Sequence, residues 1–356
     1  MNTGRFALLV LLALTFVFPI PASAQTQPTP PAQPPAPPAP AFPPAIGAAM
    51  DAVALSGADR TDATLQYIRT LYMPSVPPQV QAVLIFEMSP AEMKIVAEPP
   101  VAAPAATAPT ASTTTATTPA AAPAPAAPAN IVVDAFFRLT KADNTGTYLP
   151  YDEMDFIYRE PADQATGSAM YTVSLPMDPG SYKFIMAVSD EKLQKIATAR
   201  GDFVLPDIHA GTGKLETTPI IFTKSVKQFD ASGVERTAQI HKGVFKFAIL
   251  EIEPNMDNLF KAGDSKEVFY FISGGKPDLA TQPPKFNFEV TYTLKMEKES
   301  IIKFAKQSFD APLINHQLPL VAQGKPLTPG FYTLQVEVQD KIGGNKLKTE
   351  VPIEIQ

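Results

Sequence analysis

The residues best suited to chemistry lie in one segment of the 356-residue chain, "YLPYDEMDFIYRE". Grouped carboxylates can hold Ca²⁺, which takes about six to eight oxygen ligands, and tyrosines beside carboxylates can bind a sugar or a basic peptide. The spacing does not match a calcium loop, and Phe156 and Tyr158 alternate as core residues of a strand do. Ligand binding is therefore the alternative interpretation of this set: Tyr148, Tyr151, Asp152, Glu153 and Asp155.

A second pattern occurs twice, as "PMDPGSYKFIMAVSDEK" and "PLTPGFYTLQVEVQDK". Pro-Gly forms a turn, and glycine tolerates the positive φ that such a turn often needs. A tyrosine two residues later can bury its ring at the corner of a sandwich and return its hydroxyl to upstream backbone. We interpret the repeat as a structural corner in two copies of one fold, formed by Pro179, Gly180 and Tyr182 and by Pro329, Gly330 and Tyr332.

Other chemistries find little support in the sequence. Cysteine is absent, which excludes disulfides and thiolate sites. The three histidines, His209, His241 and His316, are far apart and lack the spacing of zinc ligands. The Gly-Thr-Gly-Lys run that ends at Lys214 lacks the other residues of a phosphate-binding loop. The sequence therefore predicts a protein that is not an enzyme and has no cofactor or metal.

Compartment and partner class follow from the N-terminus and the charge. Residues 1–24, "MNTGRFALLVLLALTFVFPIPASA", have one basic residue, an apolar run and a small-residue site, as a secretory signal peptide does. Cleavage is expected after Ala24. We predict export to the periplasm or the exterior, with no membrane span after signal removal. The net charge of −6 argues against nucleic-acid binding, which requires a patch of basic residues.

Two low-complexity tracts divide the chain. Residues 25–45 are rich in proline, which predicts a disordered, extended spacer. Residues 97–130 are rich in Ala, Pro and Thr and cannot bury enough surface to fold, so we predict a disordered insertion. Between them, residues 46–75 carry apolar spacings typical of short helices, at "IGAAMDAVALSG" and "TDATLQYIRTLYMP".

The remaining chain reads as short strands. In "KFNFEVTYTLKME", apolar and polar residues alternate, which places one face on a core and the other in water. Many such strands with Gly/Pro turns predict an all-β fold of two tandem antiparallel immunoglobulin-like β-sandwiches. Their predicted bounds are 76–208, which includes the insertion, and 209–356.

The second half resembles a known kind of module. The stretches "TPIIFTKSVKQF", "FKFAILEIEPNMDNLFKAGDSKEVFYFIS" and "LTPGFYTLQVEVQDKIGGNKLKTEVPIEI" are similar to bacterial extracytoplasmic immunoglobulin-like or fibronectin-type sandwiches. These are found beside GWxTD-motif and von Willebrand-related domains. The GWxTD motif itself is absent, since the chain has no tryptophan. The resemblance implies fold and export.

We therefore expect an exported, non-enzymatic structural or protein-interaction module of the bacterial cell envelope or exterior. Its expected partner is an envelope or extracellular protein. The alternative is a carbohydrate- or calcium-binding module that uses the Tyr148–Tyr158 segment, with a glycan as the partner.

Overall fold

The computed structural model describes residues 42–93, 95–96, 130–150, 152–165, 167–209, 213–229, 240–322 and 324–356. This part of the chain is mostly β, as predicted, in several antiparallel sheets with one α-helix. The predicted signal peptide, the spacer up to residue 41 and the insertion from 97 to 129 lie outside the described residues. No helix in the described part is long and apolar enough to cross a membrane.

The elements are numbered in chain order. The first half contains α1 (Pro44–Ser56), β1 (Leu65–Pro74), β2 (Val80–Met88), a 3-10 turn (Pro90–Glu92), β3 (Ile95–Val96), β4 (Asn130–Lys141), β5 (Asp152–Pro161), β6 (Ala169–Met177), β7 (Gly180–Ser189) and β8 (Ile196–Leu205). The second half contains β9 (Glu216–Thr217), β10 (Ile221–Gln228), β11 (Ile240–Lys242), β12 (Phe245–Phe247), β13 (Leu250–Asn255), β14 (Leu259–Phe260), β15 (Ser265–Ser273), β16 (Phe288–Met296), β17 (Glu299–Lys303), β18 (Gln307–Phe309), β19 (Leu313–Pro319), β20 (Val321–Ala322), β21 (Lys325–Pro326), β22 (Gly330–Asp340) and β23 (Lys346–Ile355).

Of the five sheets in the described part of the chain, four carry the fold, and the fifth is the two-stranded pair β20-β21. Sheet I has the order β5-β4-β7-β8, with β3 also paired to β4, and sheet II has the order β1-β2-β6-β11. Sheet III is β12-β13-β10-β15-β19, and sheet IV is β14-β23-β22-β16-β17. Strands β1-β2-β6 and β5-β4-β7-β8 of the first half thus correspond to β10-β15-β19 and β17-β16-β22-β23 of the second. The repeat seen in the sequence is a repeat of strand order.

Each half packs its two sheets around a core of alternating residues. In the first half, the rings of Phe86, Phe137 and Phe184 meet between sheets I and II at centroid distances of 5.7 to 5.9 Å. In the second half, Tyr270 and Tyr292 are fully buried between sheets III and IV, and their hydroxyls hydrogen bond at 2.9 Å. Two sandwiches result.

A third core joins the two sandwiches. Strands β1 and β2 are apolar on both faces, because each buries one set of residues inside its own sandwich and a second set outside it. The outer set packs against sheet III, so the sheets stack in the order I–II–III–IV. This shared core consists of Leu71, Met73, Val83 and Ile85 from sheet II and Ile221, Phe245, Phe247, Leu250, Ile252 and Phe269 from sheet III.

The helix covers the outer face of sheet I. Ile46, Met50 and Val53 of α1 pack on Phe136, Ile185, Ala187 and Ile196. The helix has proline in its first turn, where a missing amide costs nothing, and ends at Gly57, whose φ of +66° forms a left-handed cap. Arg138 on sheet I contacts Asp51 of the helix at 2.5 Å.

The predicted helix in "TDATLQYIRTLYMP" is wrong, because Leu65–Pro74 is strand β1. Apolar residues at 65, 68 and 71 fit a helical period, but Ile68 is 43% exposed, while Leu71 and Met73 are buried two residues apart. Pairing with β2 along its whole length decides the outcome. The first sandwich therefore begins at 65 rather than 76, the helical segment is Pro44–Ser56 rather than 46–75, and the spacer ends before Pro44.

Candidate functional site

The acidic segment forms the start of the edge strand β5 and does not converge on one point. Asp152 lies opposite core-facing Leu139, whereas Glu153 and Asp155 lie opposite outward Arg138 and Phe136. Glu153 Oε1 accepts a hydrogen bond from Arg138 Nε at 2.8 Å, which ties the strand to the helix through Asp51. Tyr151 lies outside the described residues.

Tyr148 also has a structural contact. The residue is 37% exposed, and Lys183 Nζ lies over its ring at 4.2 Å from the centroid. Among the described residues, no group of three or more His, Cys, Asp or Glu side chains is arranged to hold a metal ion. Ligand binding by this segment stays a prediction that its geometry does not favour.

The repeated motif occupies the same place in both sandwiches. The Tyr182 hydroxyl donates to the Asp178 carbonyl at 2.7 Å, and the Tyr332 hydroxyl donates to the Thr328 carbonyl at 2.8 Å. Both rings are buried, and burial together with Asp178 and Asp152 raises the pKa of Tyr182 to about 12. Each tyrosine therefore anchors the start of a central strand, β7 or β22.

The backbone conformation at two positions of the motif requires glycine. Gly180 and Gly330 have φ of +150° and +154°, a region that side chains disfavour. A Cβ at Gly180 would also approach Lys141 Cε to 2.6 Å. Pro179 and Pro329 precede these glycines in the turn and are half-buried and exposed, respectively.

The aspartates that close the motif are buried turn caps. Asp190 Oδ1 accepts from the amides of Gln194 and Lys195 at 2.6 and 3.1 Å. Asp340 Oδ2 accepts from the amide of Lys276 at 2.9 Å, which links the β22–β23 turn to the β15–β16 loop. All these contacts organise backbone, as a structural corner does.

A buried polar cluster lies where strand β11 joins sheet II. Although β11 belongs to the second half of the chain, it pairs with β6 of the first, with Lys242 opposite Tyr171. Lys242 Nζ contacts Glu160 Oε1 and donates to the Gln164 carbonyl at 2.9 Å. The Tyr171 hydroxyl donates to Glu160 Oε2 at 3.1 Å. The predicted division at 209 is thus crossed by one strand.

This cluster holds a carboxylate that is only 4% exposed. Burial and the nearby Glu160 raise the pKa of Tyr158 to about 12, and burial likewise raises the pKa of Tyr171, so both hydroxyls stay protonated as donors. The Lys242 ammonium supplies the compensating charge. The sequence itself indicates a buried carboxylate here. Glu160 continues the inward-facing series of Phe156 and Tyr158 on β5, and a carboxylate in that position needs a partner.

A groove opens at one end of the second sandwich, between the β15–β16 loop, β18 and the β22–β23 turn. It has a volume of about 410 Å³. Its lining combines apolar side chains with charged and polar ones, from Asp278, Thr281, Lys285, Phe286, Asn287, Ser308, Phe309, Asp310 and Ile342. No local sequence pattern indicates this groove, because its walls come from three separate segments.

No protein-family model matches the chain, and no curated protein matches it.

Proposed function

We propose that the protein is an exported, non-enzymatic structural or protein-interaction module of the bacterial cell envelope or exterior, built from two immunoglobulin-like sandwiches. Export rests on the signal-peptide pattern of residues 1–24. Three strands common to sheets II and III face four strands common to sheets I and IV, and this shared order supports the immunoglobulin-like interpretation. The partner is an envelope or extracellular protein.

The observation that carries this proposal is the fixed joint between the sandwiches. Domains that move against each other meet through small, polar interfaces. Here the joint is apolar, with Phe245, Phe269 and Ile252 fully buried in it. Strand β11 adds backbone hydrogen bonds to sheet II, and Lys242 adds an ion pair to Glu160. A rigid body of this kind suits a scaffold that holds a binding surface at a set distance.

The binding surface that we propose is the edge strand β19. Among the described residues, β19 pairs with β15 on one side and with no strand on the other. Its sequence from Leu313 to Pro319 has no formally charged residue. By contrast, the outer side of β23 is paired only at Glu354 and Ile355, by β14, and this strand carries four charged residues, which protect an edge from pairing. An extended segment of a partner can add to β19 by main-chain hydrogen bonds.

A capture experiment with matched variants tests this surface. Asn315 and Gln317 are exposed, so Asn315→Lys with Gln317→Lys charges the edge without disturbing the core. The control, Ser300→Lys, charges exposed β17. We expect the mature wild-type and control proteins to retain the same crosslinked envelope partner and the β19 variant to lose it, with equal melting temperatures. No partner for the wild type, or equal retention by all three, would contradict the proposal.

Export has its own test. After expression with the full leader, the mature chain recovered outside the cytoplasm should begin at Gln25. A protein that keeps residues 1–24 and stays in the cytoplasm would overturn this part of the proposal.

A further inference from the structure

The groove in the second sandwich has a rigid aromatic floor. The Phe286 ring stacks on buried Phe288 at a centroid distance of 5.3 Å and an interplanar angle of 15°. Phe288 is not part of the lining, so one face of Phe286 is fixed while the ring still borders the groove. Phe309 packs edge-on against His316 at 5.9 Å. Apolar ring surface is thus held in place without a ligand.

The rim places hydrogen-bond donors next to acceptors. Lys285 Nζ lies 3.2 Å from Asp310 Oδ2, and both side chains are about half exposed. Asn287 and Ser308 are exposed, and their side chains make no hydrogen bond within the described part of the chain. Asp278 uses one carboxylate oxygen to accept from the Ala280 amide at 2.9 Å. The rim therefore offers free donors and free acceptors around the floor.

We propose that this groove binds a neutral carbohydrate. A sugar ring presents an apolar C–H face, which packs on aromatic rings, and hydroxyls at its edge, which both donate and accept. The Lys285–Asp310 pair offers one donor and one acceptor side by side, the arrangement that neighbouring hydroxyls need. The volume of about 410 Å³ falls within the range of small-ligand sites.

Other ligand classes fit the rim less well. A proline-rich peptide has few N–H donors, so it would cover the carboxylates of Asp278 and Asp310 without hydrogen bonding them, which is costly. A phosphate-bearing ligand would meet the same two carboxylates as like charges. A sugar satisfies both carboxylates with hydroxyl donors. This site is separate from the Tyr148–Tyr158 segment of the first sandwich and from the β19 edge.

The test uses the mature protein and a panel of neutral hexasaccharides, namely cello-, malto-, xylo- and chitohexaose. Titration followed by backbone amide NMR should show binding of at least one, with shifts confined to the loops around Lys285, Ser308 and Ile342. Asn287→Ala and Ser308→Ala should each weaken binding by about fivefold, the loss expected for one hydrogen bond. Their melting temperatures should match the wild type. The control Tyr148→Ala should bind as the wild type does.

Three results would overturn the proposal. The first is no binding of any hexasaccharide at about 10 mM, which excludes a Kd tighter than that. The second is shifts that map to Tyr148–Tyr158, which would favour the segment in the first sandwich. The third is that a synthetic peptide of residues 25–42 binds the groove and the sugars do not. None of these bears on partner capture by β19, so the two proposals fail separately.

Discussion

Tyr171 donates its hydroxyl to Oε2 of Glu160 at 3.1 Å, and both side chains are buried where strand β11 joins sheet II. The other carboxylate oxygen of Glu160 contacts Lys242, which arrives from the second half of the chain. The Lys242 contact fixes the register of β11 on β6, because a shift by one residue would leave Glu160 buried without a cation.

Breaking this ion pair should destabilise the protein. Lys242→Met leaves Glu160 buried and unpaired, so we expect the free energy of unfolding to fall by about 3 kcal/mol, the low end for a buried pair, because the Lys242 side chain is 33% exposed. The double variant Glu160→Gln/Lys242→Met should recover most of this loss, because it removes the charge as well as its partner. Urea denaturation measures both. The exposed control Lys346→Met should change little, and an equal loss in the control would contradict the assigned role.

Both tyrosine corners should cost stability when they are broken. Tyr182→Phe removes the hydrogen bond to the Asp178 carbonyl. Tyr332→Phe removes the hydrogen bond to the Thr328 carbonyl and a second one, at 3.1 Å, with the Thr328 hydroxyl. We expect the free energy of unfolding to fall by about 1 kcal/mol in Tyr182→Phe and by about 1–2 kcal/mol in Tyr332→Phe. The losses should add in the double variant, because the sites lie in different sandwiches. If neither change affects stability, the corners do not stabilise the fold, and if only one does, the other corner has no such role.

Stability should fall in mild acid because of His241. Burial, with Lys246 nearby, lowers the pKa of His241 to about 4, from an ordinary value near 6.5. Above pH 6.5 both folded and unfolded states are neutral at this site. Between 6.5 and 4 the unfolded state binds a proton that the folded state does not, so stability is lost as pH falls.

The expected loss from pH 7 to pH 5 is about 1 kcal/mol, after allowance for the partial exposure of His241. His241→Asn should remove this part of the dependence in denaturation curves at the two pH values. Burial also lowers the pKa of His316, so this residue should contribute further to the loss of stability in acid. His316→Asn should remove that contribution. An unchanged pH dependence in the His241 variant would contradict the assignment.

The insertion should be dispensable for folding. Val96 and Asn130, which flank residues 97–129, are paired across strands β3 and β4. Replacing 97–129 with Asn-Gly would close a short hairpin, and each halving of a loop raises stability by about 0.6 kcal/mol. We expect a free energy of unfolding at or above that of the wild type in urea. A clearly less stable variant would show that the segment contributes to the fold.

Local patterns predicted the strands that alternate most regularly. In β16, Phe288, Val290, Tyr292 and Leu294 are all buried, as their spacing predicts. The stretch "VFKFAILEIE" reads as one strand, but a turn at Ala248, with φ of +51°, divides it into β12 and β13. Strands β17 and β19 show only weak alternation in the sequence, and their pairing with β16 and β15 defines them.

The features that build the joint and the groove depend on contacts distant in sequence. Leu71 fits a helical period and Val83 lies in an apolar strand pattern, but both belong to the core shared with Phe245 rather than to the core of their own sandwich. The pairing of Lys242 with Tyr171 joins strands from different halves of the chain. No local period encodes such a contact, since periodicity reports only which face of an element is apolar.

The two sandwiches should unfold as one unit, because they share a core. Differential scanning calorimetry of the mature wild type and Phe245→Ala measures this, with Phe331→Ala, 77% exposed, as the control. We expect a single transition with equal calorimetric and van't Hoff enthalpies. In Phe245→Ala the transition should stay single and shift to lower temperature, because the substitution lowers the free energy of unfolding by about 3–5 kcal/mol. Two separate transitions, or a Phe245→Ala trace that matches the control, would contradict it.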